Sequence, residues 1–304
     1  MTVGSRMQVD GESRNPERRG LRKGLYLIPS VFTAANIGMG FYAVMAAVRG
    51  FQFVGNGTEA DFLQASVYLD NAAKAIGWAV LFDMLDGRLA RMTKTTTEIG
   101  VQLDSIADVV TFGLAPAVLA YVWGYGAALQ EGGGLHRLAW FLSFMYLMCG
   151  AFRLARFNVQ SSRPRILAEG TIKMDKKSFV GLPIPVAGGL IAAIIHFAPL
   201  PLVSYGAERA EIYSVLLMAL VGFLSVMMVS TLRFSSFKTV GTHSRSMRTI
   251  IFAVGVGMLI FLYSRYVLLV LVIGYILHGL LSQLFKMFRR RSEVGEANVE
   301  AKLN

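Results

Sequence analysis

Apolar residues run along this chain in long blocks, separated by short polar stretches rich in lysine and arginine. A block of about 20 apolar residues is long enough to cross a bilayer as a helix. Eight blocks predict spanning helices at roughly 26–48, 72–91, 104–124, 137–157, 180–200, 211–231, 249–264 and 266–286. The second is the least apolar because it ends in a group of aspartates. The last two are divided only by a turn expected near Ser264 and Arg265. The fold class predicted is all-α, a polytopic membrane helical bundle of about eight spans. Its expected organisation is a basic tail over 1–25, a membrane domain over 26–231, an additional C-terminal transmembrane hairpin over 232–288 and a second tail over 289–304. The first apolar block is too long for the core of a cleaved signal peptide, so it is read as a retained first helix.

Composition supports this pattern. Of 304 residues, 54% are hydrophobic and 16% charged, against about 25% charged in soluble domains. A net charge of +11 would suit a nucleic-acid partner, but its distribution follows the spans. In the eight-span scheme 25 of the 30 lysines and arginines fall on one side. That asymmetry places both termini and the aspartate group in the cytoplasm and attracts anionic lipid headgroups. No nucleic-acid-binding motif is present. Cys149, the single cysteine, lies in an apolar run and is read as a packing residue.

Carboxylates are costly inside a bilayer and mark functional sites there. Residues 83–108 hold four in the pattern D-x2-D-G-x2-A-R-x8-G-x3-D-x3-D. On a helix, Asp83, Asp86, Gly87, Ala90 and Arg91 share an arc of about 140°. Gly100, Asp104, Ala107, Asp108 and Thr111 share one of about 100°. Each face sets carboxylates beside residues of minimal bulk, so a ligand can approach the backbone closely. The polar stretch 92–99 is expected to turn the chain back and bring the two faces together. All-oxygen ligation suits hard cations, Mg2+ or Mn2+, and four carboxylates offer ligands for two of them. A pair of such ions clamps the oxygens of a phosphoryl displacement, while one carboxylate can act as general base. Arg91 can meet a phosphate in a bidentate grip. Asp61 and Asp70, isolated in sequence, are read as helix caps or halves of ion pairs.

At these residues the chain resembles the CDP-alcohol phosphotransferase superfamily, whose signature it matches at every defined position from Asp83 to Asp108. The resemblance implies a six-helix core, often homodimeric, to which the last two helices are an addition. It implies metal binding by Asp83, Asp86 and Asp104, with Asp108 as the general base and a further metal contact. It also implies a pocket for the CDP group lined by Asp86, Gly87, Ala90, Arg91 and Gly100, with Arg91 on the diphosphate. Three further segments are similar to the membrane-integral bacterial branch that makes phosphatidylserine. They are LIPSVFTAANIGMGFYAV in the first helix, FRLARFN (Phe152–Asn158) and FVGLPIPVA (Phe179–Ala187). Ser30 departs from the asparagine that many relatives carry after the proline. Asn36, further along that helix, is the residue expected to reach the nucleotide. The implied substrates are CDP-diacylglycerol and L-serine, the products phosphatidylserine and CMP. Glycerol 3-phosphate, inositol or its phosphate, and choline are the alternative acceptors.

Arg153 and Arg156 lie three residues apart at a helix end, where an arginine can hold an acceptor's carboxylate or simply anchor the helix. Pro183 and Pro185 are expected to break the start of the fifth helix. Lys173, Lys176 and Lys177 are read as headgroup contacts, His196 as a packed or interfacial histidine, and Trp123 and Trp140 as interface anchors. Two rival readings fit less well. Membrane prenyltransferases carry acidic motifs far apart in the chain, and a cation transporter has no use for Gly87, Ala90 and Arg91 on the aspartate face.

Overall fold

The structure, a computed structural model, describes residues 16–93, 98–162, 178–235, 258–260 and 262–282. The side chains of Ala90 and Arg91, the lysines Lys173, Lys176 and Lys177, and most of the seventh expected span lie outside the described residues.

The chain forms α1 (Pro16–Val54), α2 (Glu59–Thr93) and α3 (Glu98–Asp108). From α3 it continues through a π-helical turn (Val109–Leu114), α4 (Ala115–Ala120) and a second π-helical turn (Tyr121–Tyr125). Then come α5 (Gly134–Ser162), α6 (Ile184–Phe197), α7 (Ala207–Val229) and α8 (Leu262–Ser282). Five helical stretches are long and apolar enough to span: Val31–Val54, Ile99–Tyr125, Gly134–Val159, Ala207–Val229 and Leu262–Ser282. The fold is thus an all-α polytopic membrane bundle. Its strands, among the described residues, are two short ones, β1 (Ser178–Val180) and β2 (Arg233–Ser235), paired antiparallel where α6 and α7 meet their loops.

The expected boundaries shift in places. Helix α1 starts at Pro16, inside the expected tail; proline suits the first helical position because its φ is already helical and the N–H it lacks would have no partner within the helix. Helix α8 runs unbroken through Ser264 and Arg265, where the sequence predicts a turn. Arg265 is exposed in the first turn of α8, so its charge needs no loop to escape the apolar interior.

Small residues set the packing. Thr33, Asn36, Gly40, Ala43, Ala47 and Gly50 are the buried stripe of α1, recurring every three or four residues. Such a stripe lets helices approach closely without a large side chain between them. Helix α1 uses it along most of α2 and against α3 and the first π-helical turn. At Gly40 a Cβ would run into Thr111, at both its side chain and its backbone, so no other residue fits there without moving that turn.

Pro116 lacks the N–H that an α-helix would offer to the carbonyl of Phe112. The Tyr146 hydroxyl, from α5, donates to that carbonyl at 3.0 Å. Pro183 caps α6 and Pro185 occupies its first turn, so the two prolines start the helix rather than break it. Before them, Gly181 takes a φ of +82° and packs where a Cβ would collide with the Met228 carbonyl. The N–H groups of Gly181 and Leu182 donate to Leu232 O and Met227 O, which satisfies irregular backbone beside a spanning helix.

Trp123 is not an interface anchor. It is 6% exposed, and its indole N–H donates to Ala198 O at 2.9 Å. Trp140 is 62% exposed and stacks on Phe144, as an anchor would. Asp61 lies in the first turn of α2 and is not itself the cap: Thr58, just before the helix, accepts from the Asp61 N–H and donates to its carboxylate.

Candidate active site

The site lies where the C-terminal part of α2 and the α3 segment approach the same face of α1. The stripe residues Thr33 and Asn36 meet a different aspartate each. Thr33 Oγ1 donates to Asp86 Oδ2. Asn36, 1% exposed, faces Asp108 with its amide, though neither of its side-chain polar atoms closes a hydrogen bond. One turn further on, the Thr111 hydroxyl donates to the backbone carbonyl of Asn36 at 3.0 Å. The first helix is therefore the template that sets α2 and α3 against each other.

One carboxylate oxygen from each of Asp83, Asp104 and Asp108 lies within 4.8 Å of the others. Asp83 comes from α2; Asp104 and Asp108 lie one turn apart on α3. The expected convergence of two helical faces is present for these three. Asp86 is set aside from that close group, buried and turned to Thr33, yet it stays within electrostatic reach of Asp104. Asp108 Oδ1 is buried and has no hydrogen-bond partner.

Three like charges drawn this close repel one another, and burial removes the water that would screen them. Such an arrangement is stable when a cation or proton joins it. The donor set is all oxygen, with an orphaned carboxylate oxygen turned inward, and so fits hard divalent cations rather than soft ones.

The remaining expected residues divide into groups. Gly87 is half-buried beside Asp86, and Gly100 is exposed at the start of α3. Ala90 and Arg91 lie within α2. The two arginines of α5 part company: Arg153 is drawn toward Asp108, with its Nε buried and unpartnered, while Arg156 is exposed. Of the two, Arg153 is the one within electrostatic reach of the aspartates. Further along α5, the Asn158 amide donates to Ser105 Oγ at 2.8 Å and ties α5 to α3.

Thr33 is a site residue that the acidic motif does not reveal. Its signal is its place on the same stripe as Asn36, three residues before it.

A second polar cluster lies in the N-terminal half of α2, about 20 Å along the helix from Asp83. Asp70 pairs with Lys74 at 2.7 Å and with His196 Nδ1 at 2.5 Å, and His196 Nε2 reaches Ser264 Oγ at 2.9 Å. Asp70 is thus half of an ion pair, as expected. His196 is more than a packed ring, since it links α2, α6 and α8.

Known proteins bear on this geometry. Residues 26–208 match the model of the CDP-alcohol phosphatidyltransferase family. A CDP-diacylglycerol–serine O-phosphatidyltransferase of Helicobacter pylori is 29% identical over 271 residues, covering 87% of this chain and 94% of its own. Proteins of the same name from Bacillus subtilis and Saccharomyces cerevisiae are 31% identical over 171 residues and 32% over 157. These cover 56% and 52% of this chain, and 77% and 49% of their own. With more than half its length matched and the acidic signature folded into one site, the chain belongs to the CDP-alcohol phosphatidyltransferase family.

Proposed function

We propose that this protein transfers the phosphatidyl group of CDP-diacylglycerol to L-serine, giving phosphatidylserine and CMP in phospholipid biosynthesis. The observation that carries the reading is the convergence of Asp83, Asp104 and Asp108 in a chain with the CDP-alcohol signature. The names of its relatives support serine as the acceptor.

In this reading Asp83, Asp86, Asp104 and Asp108 hold two divalent cations, Mg2+ or Mn2+. When bound, these ions supply charge neutralisation on the diphosphate. Asn36, Asp86, Gly87, Ala90, Arg91 and Gly100 line the place of the CDP group, with Arg91 on its phosphates. Arg153 holds the carboxylate of serine. Asp108 accepts the proton of the serine hydroxyl. The serine oxygen forms a bond to the phosphorus attached to diacylglycerol, the bond from that phosphorus to the CMP oxygen breaks, and CMP leaves with the electron pair. The serine oxygen is itself the nucleophile, and attack on phosphorus is direct, with no side chain bonded to it on the way.

Residues 26–231, which contain the matched segment 26–208, are proposed as the catalytic domain and 232–288 as an appended hairpin. The lysine and arginine asymmetry supports a site and termini facing the cytoplasm of a bacterial inner membrane. The superfamily resemblance supports a homodimer.

Purified protein supplied with CDP-diacylglycerol and one alcohol at a time, with CMP release followed, tests the reading. Serine should give the fastest divalent-cation-dependent release. Faster release with glycerol 3-phosphate, inositol, inositol phosphate or choline would replace the acceptor, and no release with any of them would remove the activity.

A further inference from the structure

Two hydrogen bonds from α5 grip the segment that carries Asp104 and Asp108, one on each side of Asp108. Three residues before Asp108, Ser105 Oγ accepts from the Asn158 amide at 2.8 Å and donates to the Val101 carbonyl at 3.0 Å. Four residues after it, the Phe112 carbonyl accepts from the Tyr146 hydroxyl at 3.0 Å. Tyr146 and Phe112 are both fully buried. Two features make this carbonyl dependent on Tyr146. Pro116 cannot supply the backbone donor that an α-helix would offer. Helix α6 closes another approach, since a Cβ on Gly188 would stand 3.0 Å from the Phe112 oxygen and 3.0 Å from the Pro116 ring. Phe112 itself lies in the π-helical turn that starts directly after Asp108. Such a turn is an uncommon backbone state, so contacts from outside have to hold it.

We infer that Tyr146 is a positioning residue for the acidic centre: its hydroxyl locks the π-helical turn and thereby fixes where Asp104 and Asp108 stand relative to Asp83. This deepens the proposed function and rests on its reading of these aspartates as cation ligands. Asp108 Oδ1 has no hydrogen-bond partner, so its position is inherited from the backbone that carries it. An apolar interior penalises a carbonyl without a donor. Once the Tyr146 hydroxyl is removed, the turn can relieve that penalty by rewinding. Rewinding moves the carboxylates before the turn, while Ala115 and Leu119 stay packed in the core beyond it. A functional site needs its groups held to within about 0.5 Å, so a small rewinding is enough to weaken cation binding.

The test titrates the full chain in detergent with Mn2+ and reads the melting midpoint, without any substrate. CMP release from CDP-diacylglycerol and serine is then measured at saturating Mn2+. Tyr146→Phe keeps the ring and removes the hydroxyl. It should raise the Mn2+ concentration for half-maximal stabilisation about five- to ten-fold, the effect of losing one buried polar contact. It should also lower kcat about ten-fold, with the KM for serine nearly unchanged. Tyr125→Phe is the comparison. The Tyr125 hydroxyl bonds to Ser143 Oγ at 2.7 Å and likewise joins a π-helical turn to α5, about 25 Å along the axis from Asp108. This variant should lower the cation-free melting midpoint and leave the Mn2+ requirement at the wild-type level. Ser105→Ala, at a half-buried position, releases the other α5 bond and should raise the Mn2+ requirement about two- to three-fold. A wild-type Mn2+ requirement in Tyr146→Phe, or in Ser105→Ala if Tyr146→Phe does not fold, would overturn the inference. So would an equal rise in Tyr125→Phe, which would make the effect one of general stability. No Mn2+ effect on the wild type would overturn it together with the cation reading. Mn2+ stabilisation without CMP release would remove the proposed activity alone, and the titrations would still decide the role of Tyr146.

Discussion

The two halves of α2 treat buried carboxylates in opposite ways. In the N-terminal half Asp70 is surrounded by partners from its own chain: Lys74 one turn away, and His196, which in turn reaches Ser264. In the C-terminal half Asp83 converges with Asp104 and Asp108, and Asp108 keeps a buried oxygen without a hydrogen bond. A carboxylate supplied with partners by the fold holds helices together. Carboxylates turned toward each other, with hydrogen-bonding capacity to spare, are arranged for something that arrives from outside.

The comparison makes opposite demands on variants in the two halves. The largest effect is expected from Asp108→Asn, which removes the proposed base. CMP release should fall by about 10²–10⁴-fold, while binding of CDP-diacylglycerol stays measurable and thermal stability is equal or higher, because one of three crowded charges is gone. A variant that keeps wild-type turnover would end the base assignment.

Next in size is the response to added cation. Mg2+ or Mn2+ at about 100 times its Kd should stabilise the wild type by about 2.7 kcal/mol, read as a rise in the melting midpoint that a chelator reverses. Asp104→Asn should lose most of that rise and Asp70→Asn should keep it. Equal cation responses in the two variants would erase the distinction between the halves.

The smallest effect is expected in the self-satisfied half. Asp70→Asn keeps the shape but weakens the links to Lys74 and His196, and should cost about 1–3 kcal/mol of stability. The specific activity of the folded fraction should be unchanged, as measured by CMP release against the melting midpoint. A large loss of turnover without a loss of stability would mean that the N-terminal half also serves the chemistry.

Much of the fold is legible in the sequence because apolar length is a local signal. The spans at α1, α5 and α7 follow from it directly. The convergence of Asp83, Asp104 and Asp108 is legible too, since helical spacing puts each set on one face. Asp86 is harder to place: the same spacing that groups it with Asp83 says nothing of Thr33, 53 residues earlier, which draws it aside. Nor does local pattern reveal the Asp70–His196 pair, separated by 126 residues. Trp123 misleads because an indole near a helix end looks alike whether its N–H meets headgroups or the Ala198 carbonyl. Arg156 and Arg153 share a helix end in sequence, and only packing decides which of them is exposed.

The π-helical turn that begins at Val109, immediately after Asp108, also has a mechanical meaning. Relative to an α-helix it accommodates an additional residue in one turn, so it works as a spacer in the rotation of a single continuous rod. The rod can seat Pro116 and Leu119 in the interior at one end and still present its acids to α1 and α2 at the other. Excising one residue from this turn would swing Asp104 and Asp108 by about 100° relative to α4, dismantling the acidic centre without altering any of its members.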